Sequence, residues 1–120
     1  MFKTNIRLET LNNTFWRKEI YTNSEQQVVV MNLPRNSDIG MERHNGSQLF
    51  IIEEGSGRAY IGKNCDKMVK LSPGSMFVVD RNKFHNIIAG SRGMKLLTIY
   101  SPPQHKKGTI ERERESERDV

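Results

Sequence analysis

The chain holds 120 residues, room for one domain of ordinary size and little else. Hydrophobic residues make up 35% and charged ones 28%, and the longest apolar runs, residues 28–31, 49–52 and 76–79, are strand-sized pieces against the roughly 20 residues that a bilayer crossing demands. A net charge of +5 invites a nucleic-acid partner, but that needs clustered Lys and Arg, and residues 106–119 balance five basic positions against five acidic ones, so neither nucleic acid nor membrane is expected.

In chain order, residues 1–10 mix charged and apolar side chains without the apolar stretch of a secretory signal, which points to a cytoplasmic location. From residue 14 to residue 101 the pattern is short β-rich runs broken by Gly, Asn, Asp and Pro, with no sustained helical period. The predicted strands are residues 14–22, 26–33, 39–44, 49–53, 57–61, 67–71, 75–79, 84–89 and 95–100, with turn chemistry between them, at 55–57 and 90–93 among others. Many short, evenly spaced strands imply an all-β antiparallel sandwich or jelly-roll barrel. Phe15, Trp16 and Tyr21 in the first run suit either a dimer seam or a cap on the core. The single cysteine, Cys65, excludes an internal disulfide, and its setting in a Gly–Lys–Asn–Cys–Asp turn marks it as an exposed thiol. Residues 106–120 read as a charged, solvated tail, because Glu and Arg alternate there without an apolar seam.

The three histidines carry the chemistry. Glu42 and His44 are two residues apart, so on one strand they project from the same face. Gln48 follows a short turn and could lie beside His44 across a hairpin, and a barrel that pairs the His85 strand with theirs would bring its imidazole to the same point. Two imidazoles, a carboxylate and an amide oxygen suit a divalent transition ion such as Zn, Mn, Fe, Ni or Co. An inward Glu42 would be costly unless paired or bound to a cation. Spacing alone leaves a second reading open, in which both histidines are ordinary hydrogen-bonded strand residues and Glu42 faces solvent. His105, after two prolines, reads as a surface residue.

Residues 33–57 and 74–89 resemble the two signature motifs of the cupin superfamily. The first motif runs Gly, five residues, His, one residue, His, three or four residues, Glu, six residues, Gly; here Asn36, Glu42, His44, Gln48 and Gly55 keep the register. The second runs Gly, five residues, Pro, one residue, Gly, two residues, His, three residues, Asn; here Gly74, Asp80, Asn82, His85 and Ala89 stand in order. Asn at 36 and 82 replaces Gly, and Asn is the non-glycine residue that best tolerates positive φ. The ending Tyr100 to His105 is similar to that of small single-domain cupins described as mannose-6-phosphate-isomerase-like.

The resemblance implies one cupin domain over residues 1–105, a double-stranded β-helix barrel, and a homodimer. It implies Glu42, His44, Gln48 and His85 as ligands of one divalent metal, with Glu in place of the first His and Gln in place of the Glu. That exchanged set resembles the two His, one Gln and one carboxylate of cupin-type phosphomannose isomerases. Same-face partners along the ligand strands, Phe50, Ile52, Ile87 and Ala89, are expected to line an apolar pocket or fill the core. The function so implied is a metal-dependent enzyme acting on a small polar molecule, by enediolate chemistry as in a sugar isomerase or by dioxygen activation. The alternative is a non-catalytic module that binds a sugar or metabolite.

Overall fold

The computed structural model describes residues 1–114. Its elements are α1 (Ile6–Asn12), β1 (Arg17–Thr22), β2 (Gln27–Leu33), β3 (Ser47–Ile61), β4 (Lys67–Leu71), β5 (Met76–Val79), β6 (His85–Ser101) and β7 (Ile110–Glu111). One antiparallel sheet runs β4-β3-β6-β2-β1-β7, with β5 added to β3. The two long strands make this a folded-over sheet. The N-terminal half of β3 pairs with the C-terminal half of β6 and with β5, and its C-terminal half pairs with the start of β6 and with β4.

Period-2 alternation sets the inner face. Gln48, Phe50 and Ile52 of β3 are buried while Leu49 and Ile51 between them are only half-buried. In register with these, Tyr100, Thr98 and Leu96 of β6 and Gln27, Val29 and Met31 of β2 are buried too. The hydrophobic members of these rows form one core with Trp16, Leu33, Ala59, Leu71, Val79, Ile87, Ala89 and Met94. Trp16, at 4% exposure, is core filling.

Most of the predicted strands appear at their expected places, and the differences have physical reasons. The runs at 49–53 and 57–61 are one strand, β3, and those at 84–89 and 95–100 are one strand, β6. The Gly signals between them do not reverse the chain. Gly55 has φ +81 and sits at a register shift, where a Cβ would collide with the carbonyl of Gly93 on the facing strand. These glycines therefore bend two long strands through a bulge, which is how one sheet closes on itself. The predicted strand at 39–44 is not regular; residues 36–42 follow β6 only through single bridges, Asp38 to Ile88 and Glu42 to His85, interrupted at Gly40 with φ +87.

The N-terminal helix was absent from the expected elements. α1 has only seven residues, too few to show a helical period or to stand alone in water. It is held at both ends: the Asn5 side chain accepts from the Leu8 N–H at 3.0 Å, and the Lys95 ammonium donates to the Leu11 and Asn13 carbonyls, each at 2.8 Å.

The charged tail is also corrected over its first part. β7 pairs with β1, the Trp16 N–H donates to the Arg112 carbonyl, and Arg114 pairs with Asp38. The alternating Glu and Arg that suggested solvation thus find partners on β1 and at Asp38. Residues 115–120 of the expected tail lie outside the described residues. Among the described residues no helix is long and apolar enough to cross a membrane.

Candidate metal centre

Glu42 and His85 are joined by backbone. The Glu42 N–H donates to the His85 carbonyl at 2.8 Å and the His85 N–H donates to the Glu42 carbonyl at 2.9 Å. This reciprocal antiparallel bridge sets the two side chains on one face, so residues 43 apart in sequence meet without a continuous strand. The Asn82 N–H ties the turn before His85 to the His44 carbonyl at 2.8 Å. Asn36 and Asn82 both have positive φ, at 60° and 63°, as their motif positions require.

Glu42, His44 and His85 each present a ligand atom, and these atoms lie within 4.8 Å of one another. His44 Nε2 stands 2.9 Å from Glu42 Oε2, yet the nitrogen is not aligned as a hydrogen-bond partner. Two ligand atoms about 2.0–2.2 Å from one ion and at right angles stand roughly 3 Å apart, so this contact has the spacing of neighbouring ligands. His85 is 1% exposed, and its Nδ1 lies 3.1 Å from the Lys83 carbonyl. A carbonyl only accepts, so in this contact Nδ1 carries the proton and Nε2 offers a lone pair. That buried Nε2 has no hydrogen-bond partner.

Gln48 does not face His44 across a hairpin, since residues 39–44 form no regular strand. Its pairing residues are Val79 on β5 and Tyr100 on β6. Tyr100 is the shared neighbour, its ring meeting His44 edge-on at 5.5 Å. The Gln48 Nε2 donates to Thr98 Oγ1 at 2.9 Å, and Thr98 Oγ1 donates on to the Leu49 carbonyl at 2.9 Å. This chain fixes the amide so that Oε1, buried and without a hydrogen-bond partner, is the free end. Arg43 is exposed and lies over the Phe84 ring at 4.7 Å, on the side away from the cluster.

Electrostatics suits a cation. Burial alone would raise Glu42, but the neighbouring His44, Arg17 and His85 outweigh it and hold the carboxyl below its ordinary range. Burial lowers His85, so the imidazole stays neutral to lower pH than usual, with Lys83 and Glu42 opposing and His44 adding to the shift. A carboxylate and a neutral imidazole are the forms that bind metal. Burial drives the Tyr100 hydroxyl far above its usual range, so it remains protonated.

Phe50, Ile52, Ile87 and Ala89 all belong to the core cluster at 2% exposure or less. Phe50 also reaches the centre, its ring 5.8 Å from that of His85. His105 is a correction. It is half-buried, its backbone N–H and carbonyl are both held by the Gln27 amide, and its Nε2 lies 3.2 Å from the Tyr100 hydroxyl. Sequence reading missed this because the anchoring Gln27 lies 78 residues away. Arg17 was likewise read only as part of a strand, and its long side chain is buried towards Glu111.

Residues 29–100 match the cupin domain family. The chain is 39% identical over 114 residues to the uncharacterized protein L612 of Acanthamoeba polyphaga mimivirus, covering 92% of this chain and 71% of that one. It is 36% identical over 114 residues to YrkC of Bacillus subtilis, covering 91% of this chain and 61% of that one. The chain thus spans about six to seven tenths of the length of the curated relatives it matches. Among solved structures, BH2720 of Bacillus halodurans superposes with a TM-score of 0.93 at 29% identity, over 99% of this chain and 94% of that one.

Proposed function

The chain belongs to the cupin family, and we propose that it is a metal-dependent enzyme acting on a small polar molecule, with Glu42, His44, His85 and Gln48 holding one divalent transition ion. The observation that carries this reading is the convergence of Glu42, His44 and His85, whose ligand atoms lie within 4.8 Å of one another, together with the buried His85 Nε2 and Gln48 Oε1, which lack hydrogen-bond partners. Orphaned buried polar atoms are costly, and a cation satisfies all of them at once. When bound, such an ion supplies Lewis acidity to an oxygen of the substrate.

The chain's own residues support that role. The Glu42–His85 bridge sets two ligands, Thr98 aims Gln48, the Lys83 carbonyl orients His85, and Phe50 keeps an apolar wall beside the imidazole. Glu42 is the single carboxylate of the cluster, which favours chemistry centred on metal and substrate over a two-carboxylate hydrolase. The test is the elemental content of the purified protein, followed by oxygen-consumption and aldose–ketose interconversion screens on a metal-replete sample. Metal retention with turnover in either screen supports the enzyme. Metal retention with tight ligand binding and no turnover supports the binding module instead.

A second copy of the chain is the proposed partner. On the outer face of the sheet, Val78, Leu49, Ile99 and Val28 stand side by side, as do Met76 and Ile51. Val78 and Met76 are more than half exposed. Replacing Leu49 by Glu is expected to convert a dimer to a monomer in light scattering.

A further inference from the structure

The segment that carries Glu42 is fastened to β6 at two points. The Ile39 N–H donates to the Ile87 carbonyl at 3.0 Å, and Glu42 exchanges both of its backbone bonds with His85. Gly40 and Met41 stand between these points, and Gly40, at φ +87, turns the chain out of an extended path. Glycine gives the backbone its greatest freedom, so the place of Glu42 depends on what confines this step. Arg114 confines it. Its Nη1 donates to Asp38 Oδ1, and its Nη2 lies over Gly40, where a Cβ would stand only 3.1 Å away. The other oxygen of Asp38 accepts from Asn86 Nδ2 at 3.1 Å, and Asn86 follows His85 on β6. One carboxylate thus joins the guanidinium, the Glu42 segment and the residue next to His85.

Backbone pairing delivers Arg114 to this place. β7 pairs with β1, the Glu19 N–H donates to the Thr109 carbonyl at 2.9 Å, and the Trp16 N–H donates to the Arg112 carbonyl at 3.3 Å. β7 is the edge of one half of the folded-over sheet, whereas residues 36–42 flank the start of β6 in the other half, so Arg114 spans the two. It lies outside residues 29–100, which match the family, and is added by the flanking segment of this chain. As a source of global stability the Arg114–Asp38 pair counts for little, because its side chains are 29% and 35% exposed. Its effect is local. We propose that Arg114 is the positioning residue of Glu42: through Asp38 and Gly40 it confines the segment between the two fastened points and so sets how long the centre keeps its ion. The proposal rests on the metal reading for the ion and adds the control of its release.

Two readouts on the full chain test it. The first is hydrogen exchange, in metal-free protein, at the Glu42 and His85 amides that form the bridge. R114A is expected to speed both by about threefold or more while the Val29 and Val30 amides of β2 keep their rates. R114K, which keeps a cation beside Asp38, is expected to restore both. The second is transfer of cobalt from the loaded chain to a chelator, followed by the visible absorption of the bound ion, which should also be about threefold faster or more in R114A. A smaller change at the bridge amides, an equal change in β2, an R114K variant as fast as R114A, or faster exchange without faster cobalt release overturns the proposal. If the unaltered chain retains no cobalt, the metal reading fails on that readout alone, and the bridge amides then decide whether Arg114 positions Glu42.

Discussion

Glu42 and His85 exchange both of their backbone hydrogen bonds across an isolated bridge, at 2.8 and 2.9 Å, and this one pairing brings the two signature segments to a common point. Side-chain placement follows from backbone here. The two backbone segments that carry the carboxylate and the imidazole can be moved apart only by breaking both hydrogen bonds, each net worth about 1 kcal/mol.

Thr98 is expected to control metal affinity without touching the ion. It is fully buried, accepts from Gln48 and donates to the Leu49 carbonyl. Thr98→Val keeps the shape but strands the Gln48 amide donor, costing roughly 1–3 kcal/mol of stability. It also frees the amide to turn, and metal affinity should drop about 10–100-fold, as for other supporting groups behind metal ligands. Thr98→Ser should restore both in a competition titration with a chelator. Equal affinities for the Val and Ser variants would mean that Gln48 does not ligate.

Acid should weaken the protein in a defined order. The His85 imidazole, lowered by burial from its ordinary 6.5, takes its proton more readily in the unfolded chain. Stability is therefore complete above about pH 6.5 and falls as pH drops below it, until the folded-state value is reached. Glu42, held below its ordinary 4.5 by its neighbours despite burial, adds a second loss below about pH 4.5. Melting temperature measured from pH 8 to about pH 3 should show both limbs, and His85→Gln should flatten the upper one. A divalent ion should steepen the fall, because it binds only the deprotonated ligands. A profile that is flat between pH 6.5 and 5 in the unaltered chain contradicts the assignment.

Lys95 should be the docking point of α1. Its ammonium accounts for two carbonyls at the end of the helix. Lys95→Met leaves those carbonyls without their donor, and a loss of about 1–3 kcal/mol in urea unfolding is expected. Hydrogen exchange should accelerate in residues 6–12 and stay slow in β3 and β6. Uniform acceleration would show the helix to be integral to the core.

The sheet and the cluster of Glu42, His44 and His85 were both legible in sequence, and for different reasons. Alternation of apolar and polar side chains fixed the inner faces of β2 and β3, and the two motifs placed Glu42, His44, Gln48 and His85 in register. Glycine was harder to read. At Gly55 the residue bends a continuous strand, while at Gly62 it opens a chain reversal, and the local composition of the two is alike; only the facing Gly93 carbonyl distinguishes them. The hairpin expected between His44 and Gln48 failed for the same reason, because the partner of residues 36–42 is β6, far along the chain. His105 and Arg17 were passed over since what buries them, the Gln27 amide and Glu111, is remote in sequence. Short-range patterns carry periodicity, and these contacts are long-range.

Glu42, His44, Gln48 and His85 are proposed to surround one cation. Crystals of protein purified without chelators, measured at the absorption edges of Mn, Fe, Co, Ni and Zn, test it directly. An anomalous peak is expected about 2.0–2.2 Å from Glu42 Oε2, His44 Nε2 and His85 Nε2, with Gln48 Oε1 completing the set, and it should be lost in His85→Ala crystals of unchanged fold. A map with only water-strength density there, and His44 Nε2 turned into a straight hydrogen bond with Glu42, would contradict it.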